Sequence, residues 1–138
     1  MIDEFSAGGV VLRRMRGRQH VAVVRVRDQI LALPKGHPDG DESAADAARR
    51  EVREETGLET ELLEKLGDVR YSYQRGGKRI RKSVAFYLFR YRSGDVEDHD
   101  HEVEEALWLP LDEAAERLAY KGEREMVVAA RSRVEEGR

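Results

Sequence analysis

The sequence contains no cysteine, which excludes disulfides, thiolate zinc sites and cysteine nucleophiles together. Any metal must therefore be held by oxygen or imidazole. It has no run approaching the ~18 apolar residues that a membrane-spanning helix needs. Its N-terminus, MIDEFSAGGVVLRR, shows no basic stretch followed by an apolar segment, so no membrane association and a cytoplasmic location are expected. A net charge of −3 exerts no global pull on nucleic acid or anionic lipid, and no stable nucleic-acid partner is expected. What is present is charge and apolar residue in nearly equal measure, 38% and 40% of a 138-residue chain. That balance suits one compact domain, residues 1–138, with a single core under a charged surface.

The two signs of charge are segregated. Basic residues gather in 13–27 and 75–92, acidic residues in 39–64 and 95–116. A polyanion bridged to carboxylates through a metal could use both.

Aliphatic stretches from Glu4 to Arg14 and from Gln19 to Val26, divided by Arg16-Gly17-Arg18, predict a hairpin. Ile30 to Leu33 is a short apolar run stopped by Pro34, and residues 35–41, with two Gly and a Pro, read as a loop. Residues 42–56 lack Gly and Pro and place Ala44, Ala48 and Val52 four apart, predicting a helix ended by Gly57. Strands are expected from Leu62 to Tyr73, from Ile80 to Tyr91, and over Glu105 to Leu109, the first two linked through Gly76-Gly77. A short helix from Pro110 to about Leu118 and a terminal helix from Glu123 to Val134 follow, the latter with Met126, Val127, Ala130 and Val134 on one side. This order implies an α+β fold, a mixed central sheet covered by helices on both faces.

The segment bearing chemistry is Gly36-His37-Pro38-Asp39-Gly40-Asp41-Glu42, seven further residues, then Arg50-Glu51-Val52-Arg53-Glu54-Glu55-Thr56-Gly57-Leu58. Helical spacings of three and four put Glu51, Glu54 and Glu55 on one face, where crowded carboxylates repel unless a cation lies among them. Hard oxygen donors favour Mg²⁺, with Mn²⁺ as a substitute. An ordinary solvated acidic face is the alternative reading of those three residues alone. The Gly, the upstream Glu, the Arg and the closing Gly in register decide for a site.

This segment resembles the complete Nudix signature, every fixed position being filled at its spacing. The resemblance implies an α/β/α sandwich and a pyrophosphohydrolase that cleaves a diphosphate linkage by metal-activated water. It implies that Glu54 and Glu55 are metal ligands, that Glu51 is a ligand or the water-activating base, and that Gly36 offers its backbone carbonyl. Arg50 would orient the carboxylates and Glu42 would brace the loop against the helix. A later acidic residue often completes such sites; Glu102 is the candidate and Glu105 the reserve. Many relatives pair, so a homodimer is among the expected states.

Beyond the signature, Leu33-Pro34-Lys35-Gly36-His37 and a Tyr sixteen positions after Gly57 resemble the subgroup acting on dinucleoside polyphosphates, the former also diphosphoinositol polyphosphate hydrolases. Gly76 to Lys82, Glu102 to Glu105 and Trp108 to Leu111 resemble bacterial housecleaning nucleotide hydrolases. A small molecule containing a nucleoside diphosphate unit, either a dinucleoside polyphosphate or a modified nucleoside triphosphate, is therefore the expected substrate. Tyr71 or Tyr73 suits an adenine platform, with core packing as the equal alternative. Lys35 is the first phosphate contact expected and Lys82 the next; strand alternation sets Arg79 and Arg81 on one face and Lys78 and Lys82 on the other. Diphosphoinositol polyphosphates, nucleotide sugars and ADP-ribose remain alternatives, as does a Nudix domain that senses a nucleotide without cleaving it. The loop departs from the family in reading His-Pro-Asp-Gly-Asp-Glu where relatives commonly have Pro-Gly-Glu, so a reshaped turn is expected. His37, His99 and His101 lack the spacing of a zinc ligand set.

Overall fold

The computed structural model describes residues 1–135. Strands β1 (Ile2–Met15), β2 (Arg18–Val26), β3 (Ile30–Ala32) and β4 (Lys35–Gly36) precede helix α1 (Ala44–Thr56). Strands β5 (Leu58–Arg75), β6 (Lys78–Gly94) and β7 (Glu105–Pro110) follow, then helices α2 (Leu111–Arg117) and α3 (Lys121–Glu135).

All seven strands join one sheet in the order β3-β2-β1-β6-β5, with β4 paired to β1 and β7 to β2. The β1 and β6 pairing is parallel and the others are antiparallel, so the sheet is mixed, as expected. Alternation sends successive side chains to opposite faces. On one face Val10, Leu12, Val84, Phe86 and Leu88 pack with Leu111, Ala114, Leu118, Val127 and Ala130 of α2 and α3. On the other, Ala7, Val11 and Phe89 pack with Ala47, Ala48 and Val52 of α1. The α/β/α sandwich follows from these two apolar surfaces, each covered by a helical stripe.

Three of the predicted boundaries that move bear on the site. Helix α1 begins at Ala44 because the Ser43 side chain caps it, accepting from the Asp46 N–H at 3.1 Å. The loop expected over 35–41 starts as a strand, its Lys35 and Gly36 pairing with Gly8 and Ala7. Strand β5 begins at Leu58, four residues before the expected Leu62, because Leu58 and Thr60 turn into the core while Glu59 and Glu61 face outward. That alternation is a strand pattern hidden by its polar half. Gly57 ends α1 in the left-handed region at φ 76°, its N–H donating to the Arg53 carbonyl at 2.8 Å. A Cβ there would also lie 2.6 Å from the Asp95 carbonyl oxygen, so only glycine permits both the turn and the docking of residues 95–98.

Candidate active site

Helix α1 presents its carboxylates to the strand β4 that sits at the edge of β1. A Cβ on residue 36 would fall 1.8 Å from Glu51 Oε2, so the glycine lets the Glu51 carboxylate lie directly against the backbone of the loop. Glu55 takes the backbone N–H of Lys35, which stitches the last turn of α1 to the same two-residue strand.

Arg50 organises the other side. Its Nε and Nη2 donate to the two oxygens of Glu42 at 2.9 Å each, its Nη1 donates to Glu54 at 2.8 Å, and Nη2 also reaches the His37 carbonyl at 3.0 Å. This planar fork spans helix and loop as a lysine could not. Glu42 further accepts the Asp39 N–H at 2.9 Å, and these bonds hold its carboxyl down at about 2. The unusual loop is fixed by His37, whose Nδ1 donates to the Phe5 carbonyl at 2.9 Å. The histidine pins the turn to β1.

Glu51, 3.5 Å from Arg50 Nη1, and Glu55 behave differently. Burial, then the neighbouring Glu51 charge, pushes Glu55 up to about 8. Burial raises Glu51 as well, and Glu54, Glu102 and Asp39 add to the rise against the pull of Arg50. Glu102 therefore lies within electrostatic reach of Glu51. Glu105 is held elsewhere, by Arg25 at 2.9 Å, so of the two only Glu102 is brought to the cluster. Asp100, which the sequence did not single out, joins it: its N–H donates to the Glu54 carbonyl at 2.9 Å and its charge bears on Glu55.

Among the described residues no three His, Asp or Glu side chains converge closely enough to chelate an ion. Arg50 draws Glu54 aside and like charges separate the others. The donor chemistry still fits a hard divalent cation. Oxygen carboxylates on one helix face stand beside a cradle that a Cβ would fill, and Glu55 carries an uncompensated cost of ionisation that a cation would remove.

Next to the cluster, a cleft of about 510 Å³ opens between β5 and the start of α3. Its floor is Val84 and Phe86; Tyr71 and Tyr120, each 48% exposed, line it with Lys35 and Met126. Tyr71 is thus not a core residue. Tyr73 lies outside this lining, its hydroxyl donating to Glu4 at 2.7 Å. Lys35 reaches the cleft but is paired with Glu123 at 2.8 Å. Lys82 is the cross-strand neighbour of Tyr71 and lines an adjoining hollow with Glu4 and Arg70. Arg81, paired with Asp3 at 2.7 Å, lines the same hollow. Arg79 sits near the end of the β5–β6 ribbon across from Gln74 and lines neither hollow. Tyr120 and Glu123 were missed because they fall at the start of a helix whose apolar stripe drew the reading to Met126 and Val127.

Residues 5–130 match the NUDIX domain family. The chain belongs to the Nudix family. A Nudix relative from Mycobacterium tuberculosis, named as mutator protein MutT4, is 38% identical over 94% of this chain and 55% of its own length. The rat bis(5'-nucleosyl)-tetraphosphatase (asymmetrical) is 36% identical over 64% of this chain and 60% of its own. The chain thus spans little more than half of these curated relatives. The solved Caenorhabditis elegans Ap4A hydrolase, as a binary complex, superposes with a TM-score of 0.79 at 25% identity, covering 96% of this chain and 98% of that one. The Nudix fold expected from the signature is the fold observed.

Proposed function

We propose that this Nudix domain hydrolyses a diphosphate linkage in a nucleoside polyphosphate, either a dinucleoside polyphosphate or a modified nucleoside triphosphate, with Mg²⁺ as cofactor and Mn²⁺ as its substitute. The observation that carries the reading is the adjacency of the α1 carboxylate cluster to an aromatic cleft of nucleotide size. Resemblance to relatives named as an Ap4A hydrolase, a bis(5'-nucleosyl)-tetraphosphatase and an 8-oxo-(d)GTP phosphatase supports it.

Glu51, Glu54, Glu55, Glu102 and the Gly36 carbonyl would hold the cation. When bound, it supplies positive charge to the phosphoryl oxygens and acidifies the attacking water. The chain's own groups do the rest. Tyr71 and Tyr120 offer flat faces to a base. Lys35 presents a cation between that base and the carboxylates. Without a cation, burial raises Glu51 and brings Glu55 to about 8; with one bound, Glu51 would be a ligand or the base that takes the proton of the attacking water. Arg50 keeps the helix and loop in register while charge moves through the site.

The cleft disfavours the highly charged alternatives. Its lining is mainly apolar, and its three cations, Lys35, Arg70 and Lys121, are matched in number by Glu123, Asp68 and Glu125. A diphosphoinositol polyphosphate would require more unpaired cations. The test is product analysis over diadenosine polyphosphates, nucleoside triphosphates, 8-oxo-dGTP, ADP-ribose and diphosphoinositol phosphates, each with and without Mg²⁺. Metal-dependent cleavage of the first two or three classes is expected. Nucleotide binding without turnover of any of them would instead mark a sensing domain.

A further inference from the structure

Glu123 is a carboxylate 3% exposed, at the first turn of α3. Burying a charge this completely is costly unless both oxygens are satisfied. They are: Oε1 accepts the Leu33 N–H at 2.8 Å, and Oε2 pairs with Lys35 Nζ at 2.8 Å. Nothing remains of Glu123 to touch a substrate, so any role it has is exerted through those partners. Both lie on the segment Leu33-Pro34-Lys35-Gly36 that frames the carboxylate cluster.

The Lys35 ammonium has two anionic neighbours. Glu123 lies on the cleft side, where the centre of the Tyr120 ring is 5.5 Å from Nζ. Glu55 lies on the cluster side and already accepts the backbone N–H of the same lysine. Burial lowers the ammonium's affinity for its proton, but the Glu123 carboxylate, with Glu55 and Tyr71 adding to it, reverses this. A lysine stem has four flexible carbons, and Glu55 is the other carboxyl group whose charge bears on its head.

We propose that Glu123 is a positioning residue that holds the Lys35 ammonium on the cleft side and so keeps it off Glu55, leaving that carboxylate free for a divalent cation. The inference rests on the site described under the proposed function. A buried partner on α3 thereby decides whether one lysine serves the substrate or competes with the metal. Since Tyr120 opens the same segment of α3, one contact sets both the wall of the cleft and the charge of the cluster.

The experiment is Mn²⁺ binding to the intact chain, read by calorimetry and by the paramagnetic resonance of free Mn²⁺, which does not depend on turnover. Glu123→Gln keeps an acceptor for the Leu33 N–H but loses the charge that holds Lys35. It should bind Mn²⁺ roughly tenfold more weakly, the scale expected for a unit charge brought close to a ligand. Adding Lys35→Met should restore wild-type affinity, because the displaced ammonium is then gone. A purely structural role predicts no such rescue, and weakening that persists in the double variant overturns the proposal. So does unchanged binding in Glu123→Gln. Should Glu123→Gln fail to fold by its melting curve, Glu123→Asp retracts the carboxylate by one methylene and is expected to show a smaller loss with the same rescue. Glu55→Gln is the control. If it leaves wild-type Mn²⁺ binding intact, the site itself is misplaced and this inference falls with it. If it abolishes binding while Glu123→Gln does nothing, only this inference falls.

Discussion

Arg50 grips Glu42 through two parallel hydrogen bonds of 2.9 Å, joining the middle of α1 to the loop that carries Gly36. The pair lowers the Glu42 carboxyl to about 2. A carboxylate held below its unfolded value contributes stability that is fully present above about pH 4.5 and is lost as pH falls toward 2. Replacing Glu42 with Gln should therefore lower the melting temperature at pH 7 and flatten its fall between pH 4.5 and 2. Thermal melts across that range check this; parallel acid limbs in wild type and variant would remove the pair from the account of stability.

Glu54 and Glu102 should matter to turnover more than to folding. Glu54 is 41% exposed at its side chain, so Glu54→Gln removes the charge proposed to face the metal without disturbing the core. A drop in kcat of about a hundredfold is expected with an unchanged melting temperature. Glu102→Gln should fall in the same direction and Glu105→Gln should not, since Glu105 is occupied by Arg25. Equal losses in the two would return the choice between them to the start.

The signature helix was legible because its chemistry is local: three carboxylates, one arginine and a terminal glycine lie within eight residues of one helix. The layers were legible because alternating and helical apolar stripes state which faces need cover. Partners distant in sequence were not. Lys35 looked like a free phosphate contact until Glu123, 88 positions on, was seen against it. Arg79 and Lys82 share a basic run, yet the pleat and a sheet edge separate them. Tyr71 and Tyr73 share a strand face, yet only Tyr71 lies over the cleft. Tyr73 is turned to Glu4, 69 positions earlier in the chain.

The aromatic cleft predicts a split in kinetic constants. Base stacking on an aromatic ring is worth ~1–3 kcal/mol by alanine substitution, so Tyr71→Ala and Tyr120→Ala should each raise KM for adenine nucleotides about tenfold, with kcat little changed. Tyr73→Phe, which loses the hydroxyl's bonds to Glu4 and from Arg75, should leave KM within about twofold. Steady-state kinetics on one cleaved nucleotide settle the matter. A larger effect at Tyr73 than at Tyr71 would take the base out of this cleft.

The strongest coupling between stability and function is expected at Glu55. Its carboxyl is raised to about 8, first by burial and then by Glu51. For an acid whose folded value lies above its unfolded one, the native state holds the extra proton, so stability falls as pH rises from about 4.5 through 8. Metal-free protein should therefore melt lower at pH 8 than at pH 5.5 as far as this group is concerned, and Glu55→Gln should remove that decline. At pH 8 the variant should be the more stable protein and the less active one, the trade expected where a strained charge serves a site. Mg²⁺ or Mn²⁺ reverses the sign for wild type, because a cation beside Glu55 favours the ionised form; the gain in melting temperature on adding metal should grow with pH and be largely lost in Glu55→Gln. Calorimetric melts at pH 5.5 and 8, with chelator and with excess metal, give the four values for each protein. A metal-induced gain that is equal at both pH values and survives in Glu55→Gln would place the ion away from this carboxylate.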